Sequence, residues 1–146
     1  VEALRKGLKD GVMDVIATDH APHGEEEKSQ SMMDAPFGIV GLETSAALTY
    51  TELVKTGILS IMDMAEKMSY NPAKILGLAE KGSVSEEMDA DLVVFDPKRI
   101  YRIDKTTFLS KGKNTPFDGR EVTGDVKYTL VDGEVVYENQ ALTGGK

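Results

Sequence analysis

The sequence predicts α/β structure over residues 1–82 followed by short antiparallel β strands over residues 83–146. Three observations carry that reading. Val12-Met13-Asp14-Val15-Ile16-Ala17 is nearly all apolar rather than alternating, the pattern of a parallel strand covered on both faces. Helical periodicity with glycine stops surrounds this run, making it the αβ half of a βα repeat. Far downstream, Asp132-Gly133 separates two β-rich runs, and a type I′ hairpin turn needs φ > 0 at both of its central residues.

Composition narrows the function classes. At 146 residues, 40% hydrophobic and 29% charged, the chain is long and apolar enough for a packed core. A net charge of −8 argues against a nucleic-acid surface, which needs clustered Lys and Arg to neutralise phosphates. With no cysteine there is no disulfide framework, thiol nucleophile or thiolate metal site. No apolar run approaches the ~20 residues of a membrane span, and the first residues are not a signal peptide, so the expected location is the cytoplasm. The chain starts without Met, in mid-helix pattern, which suggests a piece of something longer.

The elements follow in order. Leu4 and Leu8 share one face of a short helix that Gly11 ends, and Val12–Ala17 is the strand. Residues 20–38 read as a long loop, because Ala21-Pro22 discourages helix and Glu25-Glu26-Glu27 is a solvated run. That loop is either a substrate-facing lid or a plain connection. From Ile39 to Thr56 the spacing of Leu42, Ala46, Ala47, Tyr50, Leu53 and Val54 predicts a helix, stopped by Gly57. Another opens at Ser60 with Asp63 three residues on, a variant of the capping box, and buries Ile61, Met64, Ala65 and Met68. Asn71-Pro72 predicts an N-cap with Pro at N1, starting a brief helix that Gly77 ends. Residues 91–96 form a strand stopped by Pro97, with a second at 100–103. Residues 106–123 read as loop, and 126–131 with 134–138 form the hairpin.

The candidate chemistry sits where the apolar run ends. Asp19 is flanked by His20 and His23, the chain's only two histidines. A short buried strand ending in ionisable residues is how α/β barrels present chemistry, since the strand tip is rigid and the next loop opens to solvent. Asp19 reads as a metal ligand or proton-transfer carboxylate, or as a cap for its own turn; His20 could be a satisfied buried imidazole. A complete zinc site is not expected here, because catalytic zinc takes three protein ligands and neighbouring strand residues point to opposite faces. Phe37-Gly38 leads into the 39–56 helix, whose N-terminus favours an anion, and His23 could add a donor for a substrate carboxylate. Gly38 and Gly41 would let a ligand approach the backbone, or merely permit a turn and tight packing.

Asp14–His23, then Glu26-Glu27-Lys28, then Ala35-Pro36-Phe37-Gly38-Ile39-Val40-Gly41-Leu42-Glu43-Thr44 resemble the C-terminal part of the dihydroorotases, bacterial zinc enzymes of pyrimidine synthesis. Asn71–Gly77, Lys81–Val84, Asp89–Val94 and the 131–136 hairpin are similar to the tail of the amidohydrolase superfamily in general. The resemblance implies the terminal βα portion of a metal-dependent (β/α)8 barrel over residues 1–82. Residues 83–146 would be the C-terminal part of a small β-sandwich domain. It implies that Asp19 is both metal ligand and catalytic proton carrier, and that His23 and the backbone of Phe37 and Gly38 bind a substrate carrying carboxylates. The implied reaction is zinc-dependent, reversible cyclisation of N-carbamoyl-L-aspartate to L-dihydroorotate. Most of the family's metal ligands have no counterpart here, so the isolated chain is expected to be inactive, without tight zinc binding, and either to self-associate or to leave residues 20–36 disordered. Expected partners are the rest of the barrel, a second copy, and aspartate carbamoyltransferase. The alternatives are a hydantoinase- or allantoinase-like cyclic amidohydrolase and a non-catalytic scaffold subunit.

Overall fold

A computed structural model describes residues 1–139 and 141–143 of the chain. The first helix, α1 (Glu2–Lys9), ends as expected: Gly11 turns left-handed at φ 73° and the Val12 amide returns to the Gly7 carbonyl at 2.9 Å. Residues 12–17 then run without helix or ladder, so the predicted strand joins no sheet. A strand is defined by its neighbours, and among the described residues this segment has none. Its polar backbone groups go to a helix instead. Lys67 Nζ donates to Met13 O (2.7 Å), Asn71 Nδ2 to Asp14 O (2.9 Å), and the Ile16 amide to Lys67 O (3.0 Å).

Two further corrections concern residues 20–41. The expected loop contains a one-turn helix, α2 (Glu25–Lys28), whose Glu27 carboxylate accepts the Gly24 amide at 2.8 Å. The solvated acidic run is thus the first turn of a helix, where negative charge suits the dipole. The expected 39–56 helix begins only at Leu42. Ile39 pairs with His20 in an isolated parallel bridge, leaving α3 (Leu42–Thr49) to start after Gly41 and continue as a wide π turn through Tyr50–Val54. Leu42, expected in the stripe, is exposed, whereas Ala47 is buried.

Ser60 caps α4 (Ile61–Ala65) reciprocally with Asp63, as its spacing predicts: 3.1 Å from the Asp63 amide to Ser60 Oγ and 2.7 Å from the Ser60 amide to Asp63 Oδ2. Of the predicted stripe Met64 is buried, while Ile61 and Ala65 are exposed. The helix does not break at Asn71. It passes through a π turn (Glu66–Tyr70) directly into α5 (Asn71–Leu76), with Asn71 at helical φ −64° and ψ −43°. Pro72 explains the wide turn. A proline inside a helix clashes with the carbonyl four residues back and has no N–H; widening the turn to i→i−5 bonds relieves the clash. The Asn71 amide bonds Glu66 O at that spacing, but Pro72 offers nothing to Lys67 O. That carbonyl is the one the Ile16 amide takes.

The C-terminal part is one antiparallel sheet in the order β1-β2-β3-β4: β1 (Leu92–Arg102), β2 (Glu121–Val131), β3 (Glu134–Glu138) and β4 (Ala141–Leu142). The described residues show this single sheet and no second sandwich layer. Pro97 does not stop the first strand. Asp96 pairs with Asp125 and Ile100 with Thr123, so residues 97–99 bulge opposite Gly124, where a proline needs no ladder partner. β2 begins at Glu121, inside the stretch read as loop, and Val122, only 1% exposed, is its anchor. The hairpin turn is as predicted, with Asp132 at φ 50° and Gly133 at φ 80°. The short β4 was not foreseen.

α3 lies on β2, and the main core gathers Ala47, Ile103 and Val122 with Leu48, Tyr101, Phe108 and Phe117 around them. Asp125, buried in β2, is paired with Arg99 (2.6 Å) and Lys127 (3.1 Å), as a buried carboxylate requires. The core is small. The chain exposes 10081 Å², whereas a compact monomer of its 15.9 kDa exposes about 7,400 Å² by the scaling A ≈ 6.3 M^0.73. No described helix is long and apolar enough to cross a membrane.

Candidate functional site

Asp19 sits where the extended segment turns into the loop, at φ 46°. Left-handed backbone is uncommon outside glycine and marks positions that the surroundings over-determine. Its side chain is exposed and makes no hydrogen bond or ion pair among the described residues, so it does not cap its own turn. The bridge between His20 and Ile39 joins the residue after Asp19 to the residue after Gly38, with the Ala21 amide on Ile39 O at 2.9 Å.

His20 takes the structural role. Its Nδ1 accepts the Gly41 amide (3.0 Å) and lies 3.3 Å from the Leu42 amide, so Nδ1 carries no proton. This overturns one expectation: the first amides of α3 are occupied by an imidazole rather than held open for an anion. Donors remain one step earlier in the chain. The Phe37 and Gly38 amides meet no acceptor among the described residues.

The structure brings His23, Phe37 and Gly38 together. His23 Nε2 donates to Phe37 O at 2.9 Å, and a carbonyl only accepts, so this nitrogen carries the proton. Glu27 lies 3.8 Å from the other ring nitrogen. The Phe37 ring is 95% exposed, so its backbone and not its side chain belongs to the site. Gly38 has φ 127°, and a Cβ there would lie 2.5 Å from Ala21 Cβ and 3.3 Å from His23 Nε2. No other residue fits that position without moving the loop.

Two residues that sequence reasoning passed over hold the loop from behind. Lys28 Nζ donates to Pro36 O (2.7 Å) and Gly38 O (3.2 Å), and Asn114 Nδ2 donates to Gly38 O (3.0 Å). Asn114 also accepts the Val40 amide on its own carbonyl at 2.9 Å. Lys28 follows the solvated acidic run and Asn114 lies in a loop 76 residues beyond Gly38, so no local pattern gave either this role. A cavity of about 700 Å³ lies elsewhere, between α3 and the sheet, lined by Ala47, Arg99, Tyr101, Ile103 and Asp125 among others. None of the candidate site residues borders it, and the chemistry is not placed there.

The chain matches the model of the amidohydrolase family over residues 1–136, and it belongs to that family. Within the family its sequence is similar to dihydroorotases. That of Pelotomaculum thermopropionicum is 48% identical over 142 residues, covering 97% of this chain and 33% of the relative. That of Bacillus licheniformis is 50% identical over 141 residues, with the same shares. Among solved structures, the L-hydantoinase (dihydropyrimidinase) from Arthrobacter aurescens matches 97% of the chain and 32% of its own length, with TM-score 0.91 and 35% identity. A D-hydantoinase from a Thermus species matches with TM-score 0.91 and 32% identity over 99% of the chain and 32% of its own. The chain therefore spans about a third of the length of the relatives it matches.

Proposed function

We propose that this chain is the C-terminal portion of a dihydroorotase and supplies one wall of its active site. Residues 1–82 are the last barrel segment with its helices, and residues 83–146 belong to the small β domain. The observation that carries the reading is a carboxylate at Asp19 and two amides at Phe37 and Gly38, all unpaired among the described residues and joined by the His20–Ile39 bridge. In the hydrolytic direction Asp19 takes a proton from the attacking water as its oxygen bonds to the ring carbonyl carbon. The ring C–N bond then breaks, and Asp19 returns the proton to the leaving nitrogen, giving N-carbamoyl-L-aspartate. The Phe37 and Gly38 amides hold the substrate, with His23 fixing the peptide between them. The acidic product and substrate suit amide donors better than the exposed Glu25–Glu27 face.

The family reading implies zinc, with Asp19 as the single ligand from this chain. Among the described residues no three His, Cys, Asp or Glu side chains gather to hold a metal. The described residues do not by themselves make a metal site.

The test is a substrate panel on the intact protein. Turnover of L-dihydroorotate is expected, and Asp19→Asn should lower it by about 10²- to 10⁴-fold, the usual weight of a positioned acid–base group. The hydantoinase reading rests on the TM-scores of 0.91, but those structures share 35% and 32% identity against 48% and 50% for the dihydroorotases. Preference for hydantoin or allantoin would establish that alternative, and no turnover at all would favour the scaffold.

A further inference from the structure

In a planar trans peptide the C=O and the following N–H point in opposite directions, so fixing one aims the other. The site holds three consecutive carbonyls. Lys28 grips Pro36 O, His23 grips Phe37 O, and Lys28 with Asn114 grips Gly38 O. The first two of these peptides carry the Phe37 and Gly38 amides, the unpaired pair. Lys28 thus aims the Phe37 amide and His23 the Gly38 amide, while Asn114 pins the peptide that follows. Two of the three grips come from Lys28, whose ammonium meets no carboxylate among the described residues, and from Asn114, whose side chain reaches across from the C-terminal part. The loop carrying Asn114 is seated tightly. A Cβ on Gly112 would lie 2.8 Å from Pro22 Cβ and 3.2 Å from the His23 amide nitrogen.

We infer that Lys28, by aiming the Phe37 amide, and Asn114, by pinning the Gly38–Ile39 peptide behind it, are positioning residues that hold this backbone for a substrate carboxylate, so that a residue of the C-terminal part of the chain contributes to substrate affinity. This rests on the dihydroorotase reading for the identity of the substrate, and on the geometry alone for the grip. Neither residue touches the reacting atoms, so their loss acts on binding and leaves proton transfer at Asp19 in place.

The experiment has two readouts on Lys28→Met, Lys28→Arg and Asn114→Ala. Steady-state kinetics of the intact protein on L-dihydroorotate measures KM against kcat. Chymotryptic cutting after the exposed Phe37, compared with cutting elsewhere in the same protein, measures how firmly the peptide is held. In Lys28→Met and Asn114→Ala, KM should rise about tenfold with kcat retained, the scale of one hydrogen bond to a charged group. Cutting after Phe37 should quicken in both, and Lys28→Arg should stay near wild type in both readouts. Either readout unchanged in both loss variants overturns the inference, as does a fall in kcat with faster cutting throughout the chain. If the wild-type protein does not turn over dihydroorotate, the functional reading fails by itself, and cutting after Phe37 decides whether the grip exists.

Discussion

Gly38 shows how much one residue's size can determine. With Ala21 Cβ 2.5 Å from where its own Cβ would be, and a φ of 127°, Gly38→Ala must displace the loop that carries the free amides. We expect a loss of about 1–3 kcal/mol, the cost of a strained backbone position, with weaker substrate binding. Chemical denaturation and KM measured together check this. Asp63 offers a second residue-level test. The Ser60 amide and hydroxyl hydrogen-bond to its charged form and hold its carboxyl below the ordinary 3.8. A depressed folded pKa contributes stability above the unfolded value, lost as pH falls through the folded value. Lowering the pH below about 4 should therefore reduce Tm, and Asp63→Asn should flatten part of that decline. An unchanged slope would remove Asp63 from the acid response. At this scale the sequence was readable where a residue acts on its neighbours, as Ser60 with Asp63 or Asp132 with Gly133. It was silent where the partner is remote, as for Asn114 and Gly38.

At the level of elements, the segment 12–17 and the helix 61–76 explain each other. Apolar patterning located the segment but could not say what it would bond to, and its docking depends on a lysine and a proline in a different element. Lys67 is 7% exposed, its ammonium on Met13 O and its carbonyl on the Ile16 amide. Lys67→Met keeps the stem but strands the Met13 carbonyl, at a cost of about 1–3 kcal/mol for a polar group left unpaired. Faster hydrogen exchange at the Ile16 amide, with the Met64 amide unchanged, is the expected result; equal acceleration at both would mean general loosening. The same reasoning accounts for the boundaries that pattern missed. Asn71-Pro72 has the composition of a helix start, yet the π turn lets the helix run through it. Pro97 looked like a stop, yet the bulge absorbs it. Glu121–Asp125 mixes charges with a glycine and hides a strand whose burial comes from α3, outside any sequence window.

For the molecule as a whole, surface is the governing quantity. Val12, Met32, Met33, Ile75, Leu76 and Val84 are among the large apolar side chains left exposed, while the main core rests on three buried residues. Apolar surface on that scale favours association with other protein. We expect the isolated chain to self-associate, with sedimentation velocity showing a mass that grows with concentration; a monomer at all concentrations would contradict this. The excess surface also governs how the chain responds to heat and urea. Some 2,700 Å² beyond that of a compact monomer is already wetted before melting begins, by the same surface scaling. Unfolding then has less left to hydrate. Its heat-capacity step should fall below the about 2 kcal/mol/K usual for this length, and its urea m-value should be correspondingly shallow. The native state is thus insured against cold more than against dilution, because a part of the water it would gain on melting, about a sixth by the same scaling, is already there.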